Sequence, residues 1–324
     1  MKKKQLLAVL LCGCLAWMGS GCSQIASKEP QEVGLEMVEE TKTEATEEQK
    51  QAGLTWMSKA AERIEEMESY TGAMQLDFAF INDGGENSAT VSTSLAQVYE
   101  PLQQEIGIST EGNGESMGSS HFYVGSEGEQ LMLYMQYDGV WYKSKVDEDT
   151  LYGLLGQYDM KEMIDILLVA TQDVALMGEE TLPDGRTVQR VEGVVPAELM
   201  PATMIYTGTF VATGMATLTE AQMAGVADMP ITFWLDEEGN VVQYQYDAGA
   251  AYQTIADNLF NEVKDLEGYE NAKPLEVSQY ELTVTLENLN ETESILVPQE
   301  ALDGQLLDDT TAEETVEEAE EAQE

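Results

Sequence analysis

Apolar side chains recur at every second position in run after run of this chain, and that period admits few folds. Tyr70, Gly72, Met74, Leu76, Phe78 and Phe80 fall on one side of an extended segment, with Thr71, Gln75 and Asp77 on the other. Leu131, Leu133, Met135 and Tyr137 repeat the pattern up to Asp138-Gly139, a two-residue hairpin turn, and 140–146 returns. Ile231, Phe233 and Leu235 lead through a turn into Val242, Tyr244 and Tyr246, and Tyr280, Leu282, Val284 and Leu286 close the series. Residues 88–99 alternate more weakly, and extended runs near 172–180 and 187–195 flank Pro183-Asp184-Gly185. Segments with one apolar and one polar side build an antiparallel sheet covered on one side.

Helical spacing is interleaved with these runs. Leu54, Met57, Ala61, Ile64 and Met67 give an opening amphipathic helix; Met160, Met163, Ile164, Leu167 and Leu168 mark another, and Tyr252, Ile255, Ala256, Leu259 and Val263 a third. The Met- and Ala-rich stretch 196–229 reads as helix and loop, its thioethers suited to filling a core or to covering an irregular apolar space. The expected fold is α+β: a curved antiparallel sheet, a half-barrel of about ten strands, with helices packed on its concave face. The inward strand faces then carry Met74, Leu76, Phe78, Leu133, Met135, Tyr244 and Tyr280. Trp141 and Tyr142, beside the hairpin turn, stand either as lining at a pocket mouth or as cross-strand packing pairs.

The chain opens on Lys2, Lys3 and Lys4, an apolar stretch from Leu6 to about Met18, and then Gly19-Ser20-Gly21-Cys22. A basic head, a short apolar core and small residues at a cleavage point read as an export signal over 1–21. The apolar stretch falls short of the roughly 20 residues that span a bilayer. Cys22 is the expected lipid acceptor, with Cys14 a second acceptor behind a shorter core and an ordinary signal a third alternative. Acyl chains on one cysteine hold a protein at a membrane durably, since one chain alone binds only marginally. The expected location is the cell membrane, lipid-anchored on its extracytoplasmic side. Cleavage before Cys22 leaves one cysteine of three, which excludes disulfides and cysteine metal sites.

With 61 acidic against 15 basic residues, the net charge is −46. Such a chain repels nucleic acid and anionic lipid and attracts cations or basic partners. Residues 22–50 hold many acids, few aromatics and no apolar period, and read as a disordered tether; 301–324 reads as an acidic disordered tail. The folded domain is expected over 51–300.

Three strings in this order after a GSGC lipobox carry a resemblance: the helix end Glu68-Ser69-Tyr70 running into GAMQLDFAF, the run LMLYMQYDGVWYKSKV, and ITFWLDEEGNVVQYQYD. The layout resembles the LolA/LppX-like lipoprotein superfamily, and more closely an uncharacterised group of Gram-positive bacterial lipoproteins. That resemblance covers most of 51–290. It implies a half-barrel closed by helices, with a cavity that in several relatives holds lipid or acyl chains. LolA itself is unlipidated, so the resemblance does not extend to shuttling between membranes.

The sequence offers little for catalysis. His121, in GSSHFYV, is the single histidine, so two-histidine metal sites and HExxH are impossible. No GxSxG elbow is present, Gly125-Ser126-Glu127-Gly128 having the wrong spacing, and no serine stands three residues before a lysine. The 61 acids make any one carboxylate pair uninformative. Asp236-Glu237-Glu238-Gly239-Asn240 lacks the ligand alternation of a calcium loop and reads as a hairpin turn. No cofactor is implied and no enzyme is expected. The expectation is a module binding lipid, another apolar ligand or an envelope component; the alternative is a non-catalytic interaction or sensor subunit whose acidic surface meets a protein partner.

Overall fold

The computed structural model describes residues 44–307 apart from 83–84, 138, 208–217 and 267–272. Cys22, the export signal and the acidic run from Asp308 lie outside them. Helix α1 (Glu47–Glu65) leads into six strands: β1 (Ser69–Asn82), β2 (Gly85–Val98), β3 (Gln103–Gly112), β4 (Glu115–Glu127), β5 (Gln130–Tyr137) and β6 (Val140–Lys145). Helices α2 (Glu148–Leu155) and α3 (Met160–Ala170) follow, then β7 (Gln172–Thr181) and β8 (Thr187–Val195). After α4 (Met200–Tyr206) come β9 (Met229–Leu235), β10 (Val241–Asp247), α5 (Gly249–Val263) and β11 (Glu276–Glu287). A short α6 (Gln299–Leu302) and β12 (Gln305–Leu306) end the described chain.

All twelve strands of the described residues join one sheet, ordered β12-β6-β5-β4-β3-β2-β1-β11-β10-β9-β8-β7. Two meanders, β1–β6 and β7–β10, are bridged by β11, which pairs with β1 on one side and β10 on the other. Laid flat, twelve strands would extend about 50 Å at ~4.8 Å per neighbour. Side chains from β1–β5 and β7–β11 instead meet in one apolar cluster together with those of α1–α5, so the sheet curls around its helices.

The strand number corrects the expectation of about ten. β3 and β4 carry Gly107, Ser109, Gly118, Ser119 and Ser120, small polar residues that blur the alternation, although Ile106 and Ile108 share one side of β3. Helix placement also differs, because α1 packs chiefly against β7, with further contact to α3 and β8. Gly53 makes that approach possible: a Cβ there would come within 2.9 Å of the Ala175 Cα. Its buried residues are Gly53, Met57, Ala60 and Ile64, whereas Leu54 and Ala61 face solvent.

Both domain boundaries move outward. Thr46 and Gln49 form a reciprocal capping box, so the helix starts at Glu47, inside the segment expected as tether. At the other end the backbone stays paired through Leu306, whose side chain is exposed. Asn290 accepts from the Glu68 N–H at 2.7 Å, and Gln103 Oε1 from the Ile295 N–H at 2.7 Å. Ile295 and Ala301 then bury against Val98, Tyr123, Met132 and Tyr134, and β12 pairs in parallel with β6. This C-terminal strap lies on the convex side, so the sheet is covered there on both faces.

Candidate ligand-binding face

Cross-strand register assembles the concave surface row by row. One row runs Tyr244–Val284–Met74–Thr93–Ile108, the next Tyr246–Leu282–Leu76–Val91–Thr110, and a third Tyr280–Phe78–Ala89–Gly112. No charged side chain stands in these three rows between β10 and β3; the third continues through Gly112 to Glu115 on β4. A fourth row, Leu286–Gly72–Leu95–Ile106–Phe122–Met135–Tyr142, lies toward the helices that follow β6.

Burial is complete at the β4–β5 end. Leu133 and Met135 are each 0% exposed, in one cluster with Leu151, Leu155, Met160 and Ile164. The N-caps Asp147 and Asp159 start α2 and α3 by accepting from Thr150 and Glu162 N–H groups. A buried polar knot ties this cover to the sheet. The Tyr70 hydroxyl accepts from the Met160 N–H at 3.1 Å and lies 3.0 Å from the Tyr158 carbonyl and 3.1 Å from Gln97 Oε1. Tyr99 donates to Asp159 at 2.7 Å. Burial pushes the ionisation of Tyr70 and Tyr99 far up, so both phenols stay neutral and serve as structural hydrogen-bond groups.

α5 covers the β10–β11 side. Tyr252 stacks on Tyr280 with ring centres 3.9 Å apart, their hydroxyls 3.2 Å from one another, and Tyr244 donates to Met160 Sδ at 3.8 Å. Leu76, Tyr244 and Tyr280 are therefore inward residues held in packed core.

The β1–β3 part of the face is finished differently. Met74, Phe78 and Ile108 are only half-buried. Among them Thr93 and Thr110 are 2% and 1% exposed, yet neither hydroxyl has a hydrogen-bond partner. A buried hydroxyl without a partner is costly, and most such groups are satisfied. Neither threonine was singled out from the sequence, because β3 was not read as a strand and β2 alternates weakly. Thr93, at period two between Val91 and Leu95, is the signal the sequence offers.

Tyr142 falls on the concave side by register, half-buried beside the sheet edge. Trp141 does not line this face. It is paired with Gln136, one residue out of phase with Met135, so it points to the convex side and packs under the strap with Tyr123, Tyr134 and Ala301. His121 lies on the convex side too, stacked on Tyr123 with centres 4.8 Å apart. Glu105 Oε1 accepts from Tyr123 at 2.8 Å and sits 3.0 Å from His121 Nε2, while the Ser94 hydroxyl donates to the Gly107 carbonyl rather than to this ring. In the Asp236–Asn240 turn, Lys59 and Arg63 of α1 donate to the Glu237 and Glu238 carbonyls. Among the described residues no group of three or more His, Cys, Asp or Glu converges to hold a metal ion, and no helix is long and apolar enough to cross a membrane.

Neither a family model nor a curated protein matches the chain. Among solved structures it is similar to LprF from Mycobacterium bovis, at 14% identity and TM-score 0.41 over 80% of this chain and 100% of that one. It is also similar to a putative outer membrane lipoprotein-sorting protein domain from Vibrio parahaemolyticus, at 8% identity and TM-score 0.22 over 78% and 97% of the two chains. A LolA superfamily protein from Nitrosomonas europaea aligns at 8% identity and TM-score 0.15 over 76% and 94%.

Proposed function

We propose that this chain is a lipid-anchored, non-catalytic envelope module that binds an apolar molecule against the β1–β3 part of its concave face. The observation that carries the reading is the half-buried group Met74, Phe78 and Ile108 on rows that hold no charged side chain between β10 and β3. Apolar area left short of full burial gains roughly 25 cal/mol per Å² when a ligand removes it from water. The N-terminal sequence supports anchoring through Cys22, which would hold such a site beside a supply of apolar ligands.

Diphenylhexatriene, neutral and fluorescent only out of water, tests this on the purified chain. Saturable fluorescence with one class of sites is expected, and Met74→Trp, which adds bulk on the face, lowers affinity at least tenfold while the fold persists. Non-saturable fluorescence, or an unchanged affinity in Met74→Trp, contradicts the site.

A further inference from the structure

The bound molecule can be narrowed by the polar atoms of this face, an inference that rests on the binding reading above. We infer that Thr93 and Thr110 are specificity-determining residues that hold an uncharged oxygen of the ligand, such as an ester carbonyl, within otherwise apolar surroundings.

Thr93 stands opposite Met74 and Ile108, and Thr110 opposite Val91. The two threonines are therefore diagonal neighbours across β2 and β3, about 7 Å apart. Both belong to the inward rows, both are at least 98% buried, and both hydroxyls lack a partner. The other polar side chains buried nearby behave differently: Gln97 and Gln104 bond to each other at 3.0 Å, and Tyr70 is bonded on several sides. Among the described residues, unmet capacity on this face is thus confined to one place, beside its half-buried apolar residues.

The chemistry of a threonine pair decides what fits. Each hydroxyl offers one donor hydrogen and two acceptor lone pairs, and it carries no charge. A ligand carbonyl or hydroxyl oxygen satisfies it; a saturated hydrocarbon leaves it unpaired. A carboxylate would meet no cation from the three sheet rows and would lose its hydration uncompensated. The preferred ligand is therefore an apolar chain interrupted by a neutral oxygen group, rather than a plain hydrocarbon or a free fatty acid.

The experiment compares three matched probes on the full chain: a pyrene-labelled alkane, the methyl ester of the corresponding pyrene-labelled fatty acid, and the free acid. Ester binding is expected about tenfold tighter than alkane binding, with the acid weakest near neutral pH. Thr93→Val with Thr110→Val, which keeps side-chain shape, should abolish the ester's advantage over the alkane; Thr93→Ser with Thr110→Ser should keep the ester preference. Equal affinity for ester and alkane in the wild type overturns the inference and leaves the binding reading standing. So does an ester preference that survives in the valine pair, or tightest binding of the acid. Failure of all three probes to bind removes both readings. Should the valine pair misfold, the wild-type ranking still decides.

Discussion

At the β4–β5 end of the sheet, Leu133 and Met135 are fully buried in one cluster with residues of α2 and α3, and the opposite face of the same strands is covered by the C-terminal strap. At the β1–β3 part, Met74, Phe78 and Ile108 remain half-buried and two threonine hydroxyls find no partner. The strands differ in composition, since β5 reads LMLYM where β2 and β3 alternate Ser, Thr and Gly with their apolar residues. Where a helix and a strap supply caps and apolar residues, the sheet becomes ordinary core. Farther along β1–β3, Met74, Phe78 and Ile108 are less fully covered, although Thr93 and Thr110 between them are buried.

Substitution should separate the two ends most sharply. Leu133→Ala opens a cavity in close-packed core and is expected to cost about 3 kcal/mol, whereas Phe78→Ala removes a ring already partly in water and should cost about half that. Denaturant melts of the two variants measure the difference. Equal losses would mean that both ends are equally packed.

A smaller effect belongs to the strap. Lys143 donates to the Leu302 carbonyl at 2.8 Å and to Glu127 at 3.1 Å, and Tyr134 also donates to Glu127. The hydrogen bond from Lys143, then that from Tyr134, holds the Glu127 carboxyl below its usual range. A carboxyl depressed by folding contributes stability above its ordinary value near 4.5, and loses it as pH falls through the lower folded value. The pair is exposed enough that about 0.5 kcal/mol is expected. Acid titration of the melting temperature below pH ~4.5 should therefore show a small loss in wild type that Glu127→Gln lacks. Identical profiles would show that the carboxylate does not help hold the strap.

The division between sealed and open surface was only partly legible in the sequence. Strong alternation revealed β1, β5, β9, β10 and β11, and the inward positions of Leu76, Leu133, Met135, Tyr244 and Tyr280 followed from period two alone. β3 and β4 escaped because Gly and Ser interrupt their apolar rows, and with them went Thr110 and Ile108. Trp141 was placed by proximity to a turn; only the pairing with Gln136 settles its side. The strap was hidden by the acidic run beyond it, since its buried Ile295 and Ala301 are too widely spaced to show a period. Its cover is a tertiary fact, made by residues more than 150 positions from the strands they seal.

Amide hydrogen exchange with and without a saturating neutral apolar probe bears most directly on the central claim. Binding at the β1–β3 part of the concave face predicts slowed exchange in 74–80, 89–95 and 106–112, with 131–137 and 295–302 unchanged. Slowing confined to 131–137 and 295–302, or no slowing anywhere at saturation, would contradict it.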